Sequence, residues 1–209
     1  MPTNLLPSED LYMEKQVSIV NITELERLST RLNSRAQIAA ECLKYPQNDP
    51  NIQEVRVAMA EMKVESKPVE LVTNVGSCVA ICLYSSTNKC GGLAHIMLPN
   101  SAIAPQDFPQ CKFADTAIPA LASAVHEISG KETRLSAKIA GGANIFKFED
   151  TTGPTIGIKN VEAVKTALNA NRIRLLGEDV GGSCGRRITF NLRTGVVTIR
   201  FSNGEVKHL

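Results

Sequence analysis

A strand-like run, Val79 to Tyr84, and a polar turn, Ser85 to Lys89, lie between Cys78 and the glycine-rich frame Gly91 to Pro99 that holds His95. That pattern reads as a β-hairpin, and it commits this part of the chain to a sheet with alternating faces. A turn centred near Ser86-Thr87 would set Cys78 opposite His95. Facing residues on paired strands have Cβ atoms roughly 4.5–5.5 Å apart. A thiol and an imidazole at that distance can form a nucleophile–base pair. A slip of one residue would send the two side chains to opposite faces. Pattern alone leaves a plainer reading open, because a cysteine in an apolar run is often a small buried hydrophobe. His95, in Leu-Ala-His-Ile-Met, could equally be a core histidine.

The texture around the hairpin is one of short strands and glycines. Val55–Met59 and Val69–Thr73 read as strands before it. Ala114–Ser129 reads as a helix, with Asp115 near its start, Pro119 in or near the first turn and Gly130 closing it. Leu135–Ala140 and Ile173–Leu176 read as strands, and Asn160–Ala170 as a second helix. Ile188–Leu192 and Val196–Phe201 alternate around Arg193-Thr194-Gly195, a second hairpin with glycine at its turn. Many short strands with two or three helices indicate an α/β or α+β domain. Glycine doublets at 91–92, 141–142 and 181–182 fall at predicted strand ends. They serve either turns that need positive φ or backbone N–H groups that line a site.

Residues 1–50 differ from residues 51–209. They hold five Lys/Arg, seven Asp/Glu and no glycine. Ile22, Leu25, Leu28, Leu32, Ala36, Ala39 and Leu43 repeat at three and four, which predicts one amphipathic helix. Thr23 and Glu26 suit a capping box, and Gln47-Asn48-Asp49-Pro50 reads as a linker. The division expected is an N-terminal extension, 1–50, followed by one domain, 51–209.

Composition narrows the function classes. A net charge of +2 over 209 residues, with no Lys/Arg cluster, gives no nucleic-acid surface. Apolar runs are too short to span a membrane. The N-terminal Met-Pro-Thr-Asn-Leu-Leu-Pro lacks the basic and apolar regions of a signal peptide, so a cytoplasmic location is expected. The six cysteines, at 42, 78, 82, 90, 111 and 184, then read as free thiols. Cys78, Cys82, Cys90 and His95 are not at structural zinc spacing. No GxGxxG or Walker A motif is present, and no metal or organic cofactor is expected.

Six segments, in order, resemble the CheD family of chemoreceptor glutamine deamidases. They are Gly76-Ser77-Cys78-Val79, Gly91 to Pro99, Phe113-Ala114-Asp115-Thr116-Ala117, Lys138 to Ala143, Ile156 to Val164, and Gly177 to Gly182. The resemblance covers about residues 53–201. It implies a β-rich layered fold similar to the catalytic domain of cytotoxic necrotizing factor toxins. It implies hydrolysis of glutamine side chains on methyl-accepting chemoreceptors, and a complex with CheC-type phosphatases. Carried over by motif, Cys78 is the nucleophile and His95 the base; backbone N–H groups near Gly76-Ser77-Cys78, or from a glycine doublet, could hold the oxyanion. The family commonly places a threonine six residues before the cysteine, as a third catalytic member. That position is Val72 here, and the threonine stands one residue later, at Thr73. Either Thr73 orients His95 through a local shift, or a backbone carbonyl near Val72 does so. A smaller departure is Ser183, where asparagine is common. A second reading is a binding module that regulates a CheC-type phosphatase without catalysis.

Overall fold

A computed structural model describes residues 52–102, 104, 107–145 and 153–209. The helical stripe and linker expected within residues 1–50 lie outside the described residues. In chain order the elements are β1 (Glu54–Arg56), β2 (Met62–Glu65), β3 (Glu70–Val75), β4 (Val79–Ser85), β5 (Cys90–Ile96) and α1 (Ala114–Ser129). They continue with β6 (Ser136–Gly141), α2 (Ile156–Ala170), β7 (Arg174–Val180), β8 (Arg186–Asn191), β9 (Val197–Phe201) and β10 (Val206–His208). The strands form two five-stranded sheets, ordered β1-β3-β8-β9-β10 and β2-β5-β4-β6-β7.

Side-chain alternation sorts the core into two layers. Val79, Ile81 and Leu83 of β4 join Ala94 and Ile96 of β5 against Ile118, Leu121 and Val125 of α1 and Val164 and Leu168 of α2. The alternate residues Ala80, Cys82 and Tyr84, with Leu93, pack on Leu71, Val75, Ile188, Phe190 and Ile199 of the other sheet. The order of layers is therefore sheet, sheet, helices, a β-rich α+β arrangement of the kind the sequence indicates. The second sheet is covered on both faces, and every residue of β4 and β5 is buried. Each fully buried Leu, Ile or Val there contributes roughly 1.5–3 kcal/mol from area removed from water.

The first hairpin forms, but its register differs from the expectation. Val79 pairs with Ile96, Ala80 with His95, Cys82 with Leu93 and Ser85 with Cys90. The turn thus centres between Thr87 and Asn88, one position later than predicted, and Ala80 rather than Cys78 faces His95. The displacement is two residues along the partner strand, so side-chain parity survives.

Other boundaries shift for identifiable reasons. α1 matches its predicted limits, with Gly130 at φ 92° just beyond it and Pro119, its sixth residue, just past the first turn. α2 starts at Ile156, four residues before the predicted Asn160, and takes in Gly157, whose place is set by a close backbone contact. A Cβ on Gly157 would lie 2.5 Å from the Gly142 carbonyl oxygen. The Gly91-Gly92 doublet is inside β5, not at a strand end. A Cβ on Gly91 would lie 2.3 Å from the Leu83 carbonyl oxygen, and one on Gly92 2.8 Å from Leu121 Cδ1. β2 and β10 were not predicted, since each is short and carries charged residues; pairing with β5 and β9 defines them.

Candidate active site

Two strands and the segment after β1 meet at one buried imidazole. Thr73 lies on β3 in step with Leu71 and Val75, whose side chains face the second sheet. His95 lies on β5 in step with Leu93, which faces back toward the first. Between the sheets, Thr73 Oγ1 and His95 Nδ1 are 2.8 Å apart. The same hydroxyl donates to the Val57 carbonyl at 2.9 Å. A hydroxyl has one proton to give. With that proton on Val57, Oγ1 must accept from Nδ1–H, which leaves Nε2 as the imidazole's free lone pair. Nε2 is buried and has no hydrogen-bond partner among the described residues, the Cys78 thiol included.

The one-residue departure at Val72 follows from strand parity. Val72 points to the other face of β3 from Thr73, and its carbonyl accepts the Val57 N–H at 2.9 Å. Thr73 is the residue in contact with His95. The β5 backbone at this point is also fixed. His95 N–H donates to the Glu61 carbonyl at 3.0 Å and its own carbonyl accepts from Ala60 N–H at 3.1 Å.

Cys78 stands one residue before β4, one step beyond the last ladder pair. Parity puts it on the His95 face, as a diagonal neighbour; such pairs lie roughly 7–8 Å apart, within reach of side-chain rotation. Its loop is held by its carbonyls. Gly76 accepts from Ala143 N–H at 2.8 Å and Cys78 from Gly142 N–H at 2.8 Å. The Ser77 carbonyl accepts from Asn160 Nδ2 at 3.0 Å. The glycine doublet at 141–142, with φ of 127° and 66°, supplies one of these donors through Gly142. The doublet at 181–182 adjoins it through Gly181 N–H to the Gly141 carbonyl, at 2.9 Å.

Burial sets the protonation of the pair. It pushes the Cys78 thiol above its ordinary value, opposed in part by the residue's own backbone N–H. It pushes His95 below its ordinary value. Both effects disfavour charge, so the resting pair is a neutral thiol and a neutral imidazole rather than a thiolate–imidazolium pair. Alkylation of Cys78 by iodoacetamide, which reads the thiolate, is expected to be slow at neutral pH and to keep rising past pH 9.0, the ordinary thiol value. A rate already on its plateau near pH 6.5, the ordinary imidazole value, would show a standing thiolate instead.

Among the other cysteines, Cys82 shares the His95 face of β4, as Cys78 does, and differs in being fully enclosed. Cys82 is buried between the sheets, and burial raises its thiol strongly. Cys90 and Cys111 are buried too. His208 meets Thr198 Oγ1 on the exposed edge of the first sheet. No group of three or more His, Cys, Asp or Glu side chains is placed to hold a metal ion among the described residues. No described helix is long and apolar enough to cross a membrane. The sequence reading gave no part to Val57 or Asn160. Asn160 was detectable as a polar residue on the buried stripe of α2, between Gly157 and Val164.

Comparison with known proteins adds to this geometry. The family model described as "CheD chemotactic sensory transduction" matches residues 97–201. The chain is 46% identical over 149 residues to "Chemoreceptor glutamine deamidase CheD" of Halalkalibacterium halodurans, covering 70% of this chain and 92% of that protein. It is 41% identical over 161 residues to "Probable chemoreceptor glutamine deamidase CheD" of Geobacillus kaustophilus, covering 75% of this chain and 98% of the relative. The protein of the same name from Methanococcus vannielii is 43% identical over 155 residues, with 74% and 99% covered. Thr73, Cys78 and His95 precede the stretch matched by the family model. A stretch spanning 75% of a 209-residue chain nevertheless cannot avoid residues 73–95.

Proposed function

This chain belongs to the CheD family, and from that premise we propose that it deamidates chemoreceptor glutamines with Cys78 as nucleophile, His95 as base and Thr73 as the group that orients His95. The activity is that of a protein-glutamine glutaminase, the one its curated relatives are named for. The observation that carries the residue assignment is the Val57–Thr73–His95 relay. It places the imidazole proton on Nδ1 and leaves Nε2 free on the face that carries Cys78.

Each step has a named group. As the Cys78 thiol swings toward Nε2, His95 takes its proton and the sulfur attacks the glutamine Cδ. Negative charge gathers on the amide oxygen. The N–H groups of the Gly76-Ser77-Cys78 loop, whose carbonyls are tied from behind, are the donors suited to hold it. His95 gives its proton to the departing nitrogen, releasing ammonia and leaving a thioester. It then deprotonates a water, which attacks the thioester carbonyl, and the proton returns to sulfur. The net change is glutamine plus water to glutamate plus ammonia. The relay serves both halves, because it keeps Nε2 the exchanging atom.

The reading extends to a CheC-type phosphatase as a binding partner and to a cytoplasmic location, both on the strength of the family alone. The binding-module alternative has no observation here in its favour.

Thr73→Val tests the relay. It keeps the shape of the side chain and removes the hydroxyl. Ammonia release from a receptor cytoplasmic fragment is expected to fall about 10–100-fold, the usual cost of losing a partner that orients a functional histidine. Activity within about twofold of wild type, well below that range, would remove Thr73 from the site.

A further inference from the structure

We infer that Asn160 is a positioning residue for this reaction, one that fixes the offset between Cys78 and His95 where their strands part. The inference rests on the site reading above. The β4–β5 ladder ends at Val79 and Ile96. Beyond that pair the two backbones turn away from each other. Met97 and Leu98 N–H both donate to the Lys112 carbonyl at 3.0 Å, while the Gly76 and Cys78 carbonyls bond to Ala143 and Gly142. Asn160 bridges the gap. Its Nδ2 donates to the Ser77 carbonyl at 3.0 Å and to the Met97 carbonyl at 2.9 Å. One acceptor precedes the nucleophile by a single residue. The other follows the base by two.

The position is an unusual one for an amide. Asn160 is fully buried, on the same helix face as Gly157, Val164, Ala167 and Leu168. Two carbonyl acceptors fix which end of the amide is nitrogen, and they use both of its hydrogens. Oδ1 is left buried with no partner among the described residues. Buried polar groups are ordinarily satisfied, and an exception calls for a reason. A leucine would remove the unmet Oδ1 but would take the donor away from the Ser77 and Met97 carbonyls. What the amide provides and a leucine cannot is the pair of bonds.

The helix that carries it is itself held against the nucleophile loop. Gly157 and Gly142 meet backbone to backbone, and a Cβ on Gly157 would lie 2.5 Å from the Gly142 oxygen. Gly142 N–H in turn holds the Cys78 carbonyl at 2.8 Å. The Cys78 loop is thus gripped by a backbone arm and a side-chain arm from adjoining segments. Only the side-chain arm reaches the His95 strand.

The test measures kcat and KM for deamidation of a receptor cytoplasmic fragment by full-length wild type, Asn160→Ala, Asn160→Leu and Cys78→Ala, with rates normalised to folded protein. Asn160→Leu keeps the volume and loses both bonds. Its kcat per folded molecule is expected to fall about 100-fold, the scale set by an ångström of misplacement, with KM little changed, while the melting temperature drops because two carbonyls lose their donor. A merely structural role would move melting and leave kcat per folded molecule alone, and that result overturns the inference. Should both Asn160 variants fail to fold, wild type decides. The Asn160 side-chain N–H protons should be protected from exchange by NMR, and rapid exchange overturns the inference. If Cys78→Ala remains active, the site reading and this inference fall together. If Cys78→Ala is inactive while Asn160→Leu turns over at the wild-type rate, this inference alone falls.

Discussion

Cys78→Ala is expected to abolish deamidation while leaving the protein folded. Removal of a covalent nucleophile from an assembled triad lowers kcat by about four to six orders of magnitude. Stability should change little, because Cys78 is only partly buried and sits outside the strand ladder. Its loop is held by the carbonyls of Gly76, Ser77 and Cys78, none of which the substitution removes. Cys78→Ser should be inactive too. A serine hydroxyl is a much weaker nucleophile, and Nε2 belongs to an imidazole whose basicity burial has already lowered. Deamidation assays with melting curves of the three proteins check this. An active Cys78→Ala would remove the nucleophile from the account.

His95→Ala carries the second large effect. In the mechanism proposed above the imidazole takes the thiol proton, protonates ammonia and activates water, so its loss would touch every step. A single acid–base group contributes about 10²–10⁴-fold, and a group used three times belongs at the upper end. The fold should persist, since the backbone bonds of residue 95 to Glu61 and Ala60 do not involve the ring. The residual activity has a direction. Without His95 the thiol must ionise by itself, and its value is raised by burial. The remaining rate should therefore climb with pH beyond 9.0, the ordinary thiol value. Wild type should instead lose activity only as pH falls below 6.5, the ordinary imidazole value, toward the lowered value of His95. The same ring makes acid destabilising. An unfolded imidazole takes up a proton below 6.5 sooner than the buried one does, so stability is full above that pH and falls as pH drops through it. Rate–pH profiles of the two proteins check the catalytic part. Identical profiles would mean that His95 does not titrate in the reaction.

Much of the site could be read from the chain because period-2 alternation carries it. The hairpin forms with the predicted parity even though its register is displaced by two. The turn at Ser85–Lys89 is all polar and holds no Asn-Gly or Gly-Asn pair to mark its centre, so its middle could be misplaced while parity stayed right. The Val72/Thr73 question was closed to sequence alone. Which residue meets His95 depends on how the two sheets face each other, and their strands are far apart in the chain. Parity decides it once β3 is known to put Leu71 and Val75 inward. Asn160 was hidden for a related reason. Its acceptors, the Ser77 and Met97 carbonyls, are 83 and 63 residues away along the chain. The Gly91-Gly92 doublet, placed by sequence at a strand end, lies inside β5, where a backbone oxygen and side chains press close against it.

The most direct test of the central claim is mass spectrometry of peptides from a chemoreceptor cytoplasmic fragment, incubated with wild type and in parallel with Cys78→Ala. Hydrolysis of each side-chain amide through a cysteine thioester adds about one dalton to the peptide that contained it. The account predicts that gain at particular glutamines with wild type and none with Cys78→Ala. An equal gain with both proteins, or none with wild type bound to the fragment, would contradict it.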